Sequence, residues 1–153
     1  MNRSEAKAWG STLARLFCGA VFLYASFDKL GEAERFLAVV KEYHVLPRDL
    51  EPLAAVVIPP LEALVGLALV TGFRRRGAAL VYCGLLLCYS LGLSINLVRG
   101  VDMACGCFSM ESLDKVTWWT VARDLALLAP GVVVLTDSEA RASLDALLGR
   151  KGS

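Results

Sequence analysis

The chain has 153 residues, of which 56% are hydrophobic and 20% charged, with a formal net charge of +1 and a mean hydropathy of +0.56. A soluble domain averages roughly 45 to 50% apolar and about 25% charged residues, so the balance argues for a membrane protein and against a soluble enzyme. Disorder requires low hydrophobicity and high net charge, and nucleic-acid binding requires a dense basic stripe; neither is present.

In chain order, the first apolar run covers residues 12–30 and carries no charge between Leu16 and Phe27. Arg3, Lys7 and Arg15 precede it, as basic residues precede a secretory signal. The stretch Leu23-Tyr24-Ala25-Ser26-Phe27 is nevertheless a poor small-residue cleavage site, and Leu16-Phe17-Cys18 lacks a lipoprotein pattern, so the run reads as a retained span. Beyond it, Phe36, Val40 and Tyr43 recur at helical spacing. That spacing predicts a short amphipathic helix over residues 34–44 lying in the membrane interface, ended by Leu46-Pro47. His44 is the only histidine, and a lone interfacial histidine reads as a surface residue.

The second run, residues 52–73, contains one charge, Glu62, just after Pro59-Pro60. The third, 77–98, contains none; the fourth, 116–136, carries Arg123 and Asp124 and opens with Trp118-Trp119, a pair suited to anchoring at the interface. Each run is close to the ~20 residues that a helix needs to cross a hydrocarbon core. Helices satisfy their own backbone hydrogen bonds in lipid. The expected fold is therefore an all-α integral membrane protein: one four-transmembrane-helix bundle with a short interfacial helix in the first outer loop and a cytoplasmic tail over 137–153.

The positive-inside rule sets the expected orientation. With the N-terminus inside, nine Lys/Arg flank the inner ends (Arg3, Lys7, Arg15, Arg74, Arg75, Arg76, Arg141, Arg150, Lys151) and six the outer ends (Lys29, Arg35, Lys41, Arg48, Arg99, Lys115). The Arg74-Arg75-Arg76 loop weighs most. Both termini are expected in the cytoplasm of a cell inner membrane, with the loop holding Cys105-Gly106-Cys107 on the periplasmic or outer face.

The five cysteines divide by position. Cys18, Cys83 and Cys88 lie inside spans, where cysteine packs as a small hydrophobe; Cys83 and Cys88 are about 140° apart around a helix. Cys105 and Cys107 lie in a loop expected to face an oxidising compartment, where thiols pair. Gly106 permits the bend that a bond between them requires, and strained, accessible disulfides are readily reduced. The residues leave three readings open: a redox-cycling pair, a static bond or inert thiols, and metal ligation, for which zinc would want four ligands and only His44 is at hand. No metal site is assigned.

Glu62, at membrane depth, is by default a functional residue. Counting about 1.5 Å per residue from the outer ends puts it roughly 14 Å deep and Arg123 about 10 Å deep, so Arg123 is its expected cation. Asp28, Lys29 and Asp124 complete the expected intramembrane polar network, either as a register-fixing pair or as a site for protons or a quinone carbonyl. Pro59-Pro60 frees backbone carbonyls nearby, which suggests a polar pocket.

These residues resemble one family. Phe22-Leu23-Tyr24-Ala25-Ser26-Phe27-Asp28-Lys29-Leu30, Tyr43 through Leu46-Pro47, Pro59-Pro60-Leu61-Glu62, Asn96-Leu97-Val98-Arg99-Gly100, Cys105-Gly106-Cys107-Phe108 and Arg123-Asp124 are similar to the MauE family, within the DoxX-like group of small four-helix membrane proteins. The likeness covers about residues 12–136 and departs from the family pattern at Ser109-Met110. The resemblance implies a methylamine-utilisation protein that matures the disulfide-rich small subunit of methylamine dehydrogenase alongside a thioredoxin-like partner. Cys105 and Cys107 would then exchange electrons with that partner or a disulfide-containing client, with quinone as a candidate acceptor. Two other readings remain open: a membrane assembly factor with a static disulfide, and a small transporter or respiratory-complex subunit working through Glu62.

Overall fold

In the computed structural model, which describes residues 3–100 and 117–136, the described chain is helical throughout its regular elements. Helix α1 spans Arg3–Gly31, α2 Ala33–Glu42, α3 Glu51–Thr71, α4 Arg75–Val98, α5 Trp118–Ala126 and α6 Leu128–Thr136. Four stretches are long and apolar enough to cross a bilayer: Ala8–Gly31, Glu51–Thr71, Arg75–Val98, and Trp118–Thr136, the last formed by α5 and α6 in succession. The expected all-α, four-span class is the class observed. The tail at 137–153 lies outside the described residues.

The span boundaries lie within about four residues of expectation. The first begins at Ala8, and Ala8, Ser11 and Arg15 are buried along it. The second ends at Thr71, where Gly72 turns left-handed at φ 74° and its N–H donates to the Ala68 carbonyl at 2.9 Å. Glycine adopts that conformation without steric cost.

The most extensive contact is between α1 and α3. A Cβ on Gly19 would lie 2.9 Å from the Gly66 carbonyl oxygen, and one on Gly66 would lie 3.0 Å from the Gly19 oxygen. In lipid, where apolar burial gives no net drive, such small residues let two helix backbones meet. Around that contact Cys18, Phe22, Val65, Leu69, Ala79, Tyr82, Leu86 and Val134 form the main core, with the Phe22 and Tyr82 ring centroids 4.4 Å apart. Large apolar residues such as Phe27, Val56, Leu80 and Val98 point outward, the arrangement that suits a lipid surround.

Prolines shape two spans differently. Pro59 and Pro60 sit inside α3 without breaking it, and the Ser26 hydroxyl of α1 donates to the Pro59 carbonyl at 2.8 Å. In the fourth span the chain leaves the helix at Leu127. Pro130 has no N–H for the carbonyl of Ala126, and the Tyr82 hydroxyl of α4 donates to the Leu127 carbonyl at 3.1 Å.

Helix α2 begins one residue before the predicted 34–44 segment and ends two residues short of its limit, and its inward face meets protein. Phe36 and Val39 are buried against Ala55 and Ile58 of α3, so α2 docks on protein. Its end is fixed from α4. Asn96 donates to the Tyr43 carbonyl at 2.9 Å and to its own Gly92 carbonyl at 3.0 Å, Arg99 reaches the His44 carbonyl at 3.4 Å, and the Tyr43 ring lies over Gly92. These contacts hold His44 at φ 46°, a left-handed conformation uncommon outside glycine.

Candidate functional site

Four elements bring together a buried polar cluster. Lys29, from the last turn of α1, places its Nζ 2.8 Å from both Glu62 oxygens of α3. The Tyr89 hydroxyl of α4 donates to Glu62 Oε1 at 2.5 Å. The Lys29 ammonium also lies 5.4 Å from the Phe36 ring centroid of α2 and 5.1 Å from that of Tyr89, within the range of cation–π attraction. Lys29 and Glu62 are 2% and 1% exposed.

The geometry explains why charges persist at this depth. Glu62 stands eleven residues into α3, about 16 Å along its axis. A lone ion there would face a desolvation penalty of several kcal/mol. Both carboxylate oxygens accept hydrogen bonds, and two aromatic faces complete the ammonium's surroundings.

The charge partner of Glu62 is therefore Lys29, and not Arg123 as the depth count suggested. Arg123 instead bonds its sequence neighbour, donating from Nε and Nη2 to Asp124 Oδ1 at 3.2 and 3.1 Å. The physical reason is register: α1 and α3 are drawn together by Gly19 and Gly66, and that contact carries Lys29 to the level of Glu62. Asp124 is fully buried and Arg123 half-buried. Asp28, next to Lys29, is partly buried. Lys29 thus lies on both Glu62 oxygens and Tyr89 on one, so the carboxylate is satisfied from within the protein.

Tyr89 escaped the sequence reading because a tyrosine inside an uncharged run carries no charge signal. Its one sequence cue is a hydroxyl-bearing ring in a span otherwise dominated by aliphatic residues. Ser26 and Ser90 were hidden in the same way.

Cys105 and Cys107 lie outside the described residues. Among the described ones, Cys18 and Cys83 are buried free thiols in the core and Cys88 is exposed on the opposite side of α4 from Cys83. No group of three or more His, Cys, Asp or Glu residues suited to a metal ion occurs among the described residues. Trp118 and Trp119 are 63% and 78% exposed at the start of the fourth span, as an interfacial anchor requires.

Fold and cluster together define a small four-span helical membrane protein built around an intramembrane ion pair. The family described as "Methylamine utilisation protein MauE" matches residues 7–137, and the chain belongs to that family. Among its relatives, the methylamine utilization protein MauE of Paracoccus denitrificans is 35% identical over 80% of this chain and 66% of that protein. The MauE protein of Methylorubrum extorquens is 31% identical over 82% of this chain and 69% of that protein, and that of Paracoccus versutus 33% identical over 75% and 62%. The chain thus spans about two thirds of the length of the curated relatives it matches. No solved structure matches it.

Proposed function

We propose that this protein is a membrane thiol-disulfide exchanger of the MauE type, working through Cys105 and Cys107 on the outer face with a thioredoxin-like partner or a disulfide-containing client. The observation that carries this reading is the sequence Cys105-Gly106-Cys107 following closely on Asn96 and Arg99, the two residues that tie the end of α4 to Tyr43 and His44. Four residues separate Gly100 from Cys105, a span of at most about 18 Å of extended backbone. Membership of a family named for methylamine utilisation is consistent with this reading, and the client class we infer from the resemblance is a disulfide-rich protein such as the small subunit of methylamine dehydrogenase.

The exchange balances without any other group. One cysteine thiolate attacks a client disulfide, forming a mixed disulfide and expelling one client thiolate. The second cysteine then attacks the mixed bond and expels the other. The client gains two electrons, and the pair is left as a disulfide; the reverse sequence oxidises the client. The Lys29–Glu62–Tyr89 cluster serves as the rigid base of the outer half of the bundle, holding α1, α3 and α4 at one register beneath α2.

The test uses single replacements, Cys105→Ser and Cys107→Ser, in protein whose exposed Cys88 is also serine. Rapid acid quenching and thiol blocking should capture a mixed disulfide with a second protein in one of the two variants and in neither when both are replaced. Equal client maturation by the double variant would instead indicate an assembly factor with a static bond. Loss of function in Glu62→Gln with the cysteines dispensable would indicate a transporter-like role.

A further inference from the structure

Three buried side-chain oxygens lack a hydrogen-bond partner among the described residues: Ser90 Oγ, Asn96 Oδ1 and Asp124 Oδ2. Asn96 makes two other hydrogen bonds through its amide nitrogen. Ser90 and Asp124 are the notable pair, at 5% and 0% exposed.

Helix packing sets these two opposite each other. Cys83 of α4 meets Gly131 of α6, whose added Cβ would lie 2.7 Å from the Cys83 sulfur, and Leu93 of α4 packs with Val121 of α5. Ser90 is seven residues after Cys83 and three before Leu93; Asp124 is seven before Gly131 and three after Val121. Seven residues are about two turns and three nearly one, so on antiparallel neighbours Ser90 and Asp124 occupy the same level and face. Yet neither oxygen bonds the other.

In an apolar interior an unsatisfied hydroxyl or carboxylate oxygen is costly. Ser90 has a proton to donate and Asp124, as a carboxylate, has a lone pair to fill. The group that satisfies both must accept one hydrogen bond and donate another, which is what a neutral O–H does. We propose that α4 and α5 hold such a guest between Ser90 and Asp124: a hydroxyl group, supplied either by an internal water or by the head of a membrane-soluble hydroxylated compound. Tyr89 of the Glu62 cluster packs on the same Leu93–Val121 contact. The inference stands apart from the cysteine chemistry and does not depend on it.

The two sources are separated on the intact protein in lipid nanodiscs. X-ray radiolysis in oxygen-18 water labels side chains beside bound water, and the buried Leu93 and Val121 are the reporters. A water guest gives oxygen-18 incorporation at these residues, with most of it lost in Ser90→Ala and in Asp124→Leu. A lipid-borne guest leaves them unlabelled, but organic extraction then releases a hydroxylated compound in stoichiometric amount, depleted from both variants. Ser90→Ala removes a single hydroxyl and keeps the site readable if Asp124→Leu fails to fold. The proposal is overturned by labelling that persists unchanged in the variants, or by the absence of both label and extractable compound.

Discussion

Glu62 and Lys29 form a pair whose value depends on both members being present. Removing one partner of a buried ion pair typically destabilises by about 3 to 5 kcal/mol, because it strands a charge, whereas replacing both with apolar residues of similar size is often neutral or stabilising. Lys29→Met is therefore expected to lower the unfolding temperature in detergent sharply. The Lys29→Met/Glu62→Leu double variant should recover most of that loss, and thermal unfolding of the set, as a double-mutant cycle, checks it. Tyr89→Phe removes one charge-assisted hydrogen bond and should cost about 1.5 to 3 kcal/mol. Of these three residues Glu62 stood out in the sequence as the lone charge in its span and Lys29 was expected in its network, while Tyr89 carried no signal. Lys29 resembled an end-of-span flank, and its partner could not be read because register between helices is not encoded in distance along the chain.

At the level of elements, small residues and side-chain locks decide how the helices meet. A leucine at Gly66 would drive its side chain into Leu23 and the Gly19 carbonyl. Overpacking of this kind costs about 1 to 3 kcal/mol and would pull Lys29 away from Glu62. Gly66→Leu should therefore both lower thermal stability and expose Lys29 to amine-reactive labels, while Gly84→Leu, with open space at the Cβ position, should do neither. The end of α2 makes a second case. Asn96→Ala loses the bond to the Tyr43 carbonyl, worth about 0.5 to 1.5 kcal/mol, and should raise amide hydrogen exchange over α2 more than over α3. The sequence exposed α2 through its periodic apolar residues and the Asn-x-x-Arg-Gly segment as a motif. It could not show that the motif's task is to hold the α2 terminus, since Tyr43 and Asn96 are 53 residues apart.

For the whole molecule, charge at the two ends of the bundle sets the expected orientation. The Arg74-Arg75-Arg76 turn lies at the end of the bundle opposite the Lys29–Glu62 cluster, and the positive-inside rule assigns that end to the cytoplasm. After reduction with a membrane-impermeant phosphine, a membrane-impermeant maleimide applied to spheroplasts is expected to label the protein through Cys105 and Cys107. A cysteine substituted at Gly77, beside the arginine turn, should react only after permeabilisation. The reverse pattern would invert the topology and remove the outer-face client from the proposed function.

What the sequence determined by itself was the number of crossings and their approximate limits, because the energy of placing about 20 apolar residues in hydrocarbon depends on composition alone. It also singled out the cysteine pair and Glu62, which stand out by residue type against their surroundings. Only the tertiary structure decided that Lys29 and not Arg123 pairs with Glu62, that Tyr89 joins them, that Arg123 turns to Asp124, and that α2 packs its apolar face on α3. Those outcomes follow from close backbone approach at Gly19 and Gly66 and from the Asn96 and Arg99 locks. They are contacts between distant segments, and they arise from the relative register of helices that no single helix specifies.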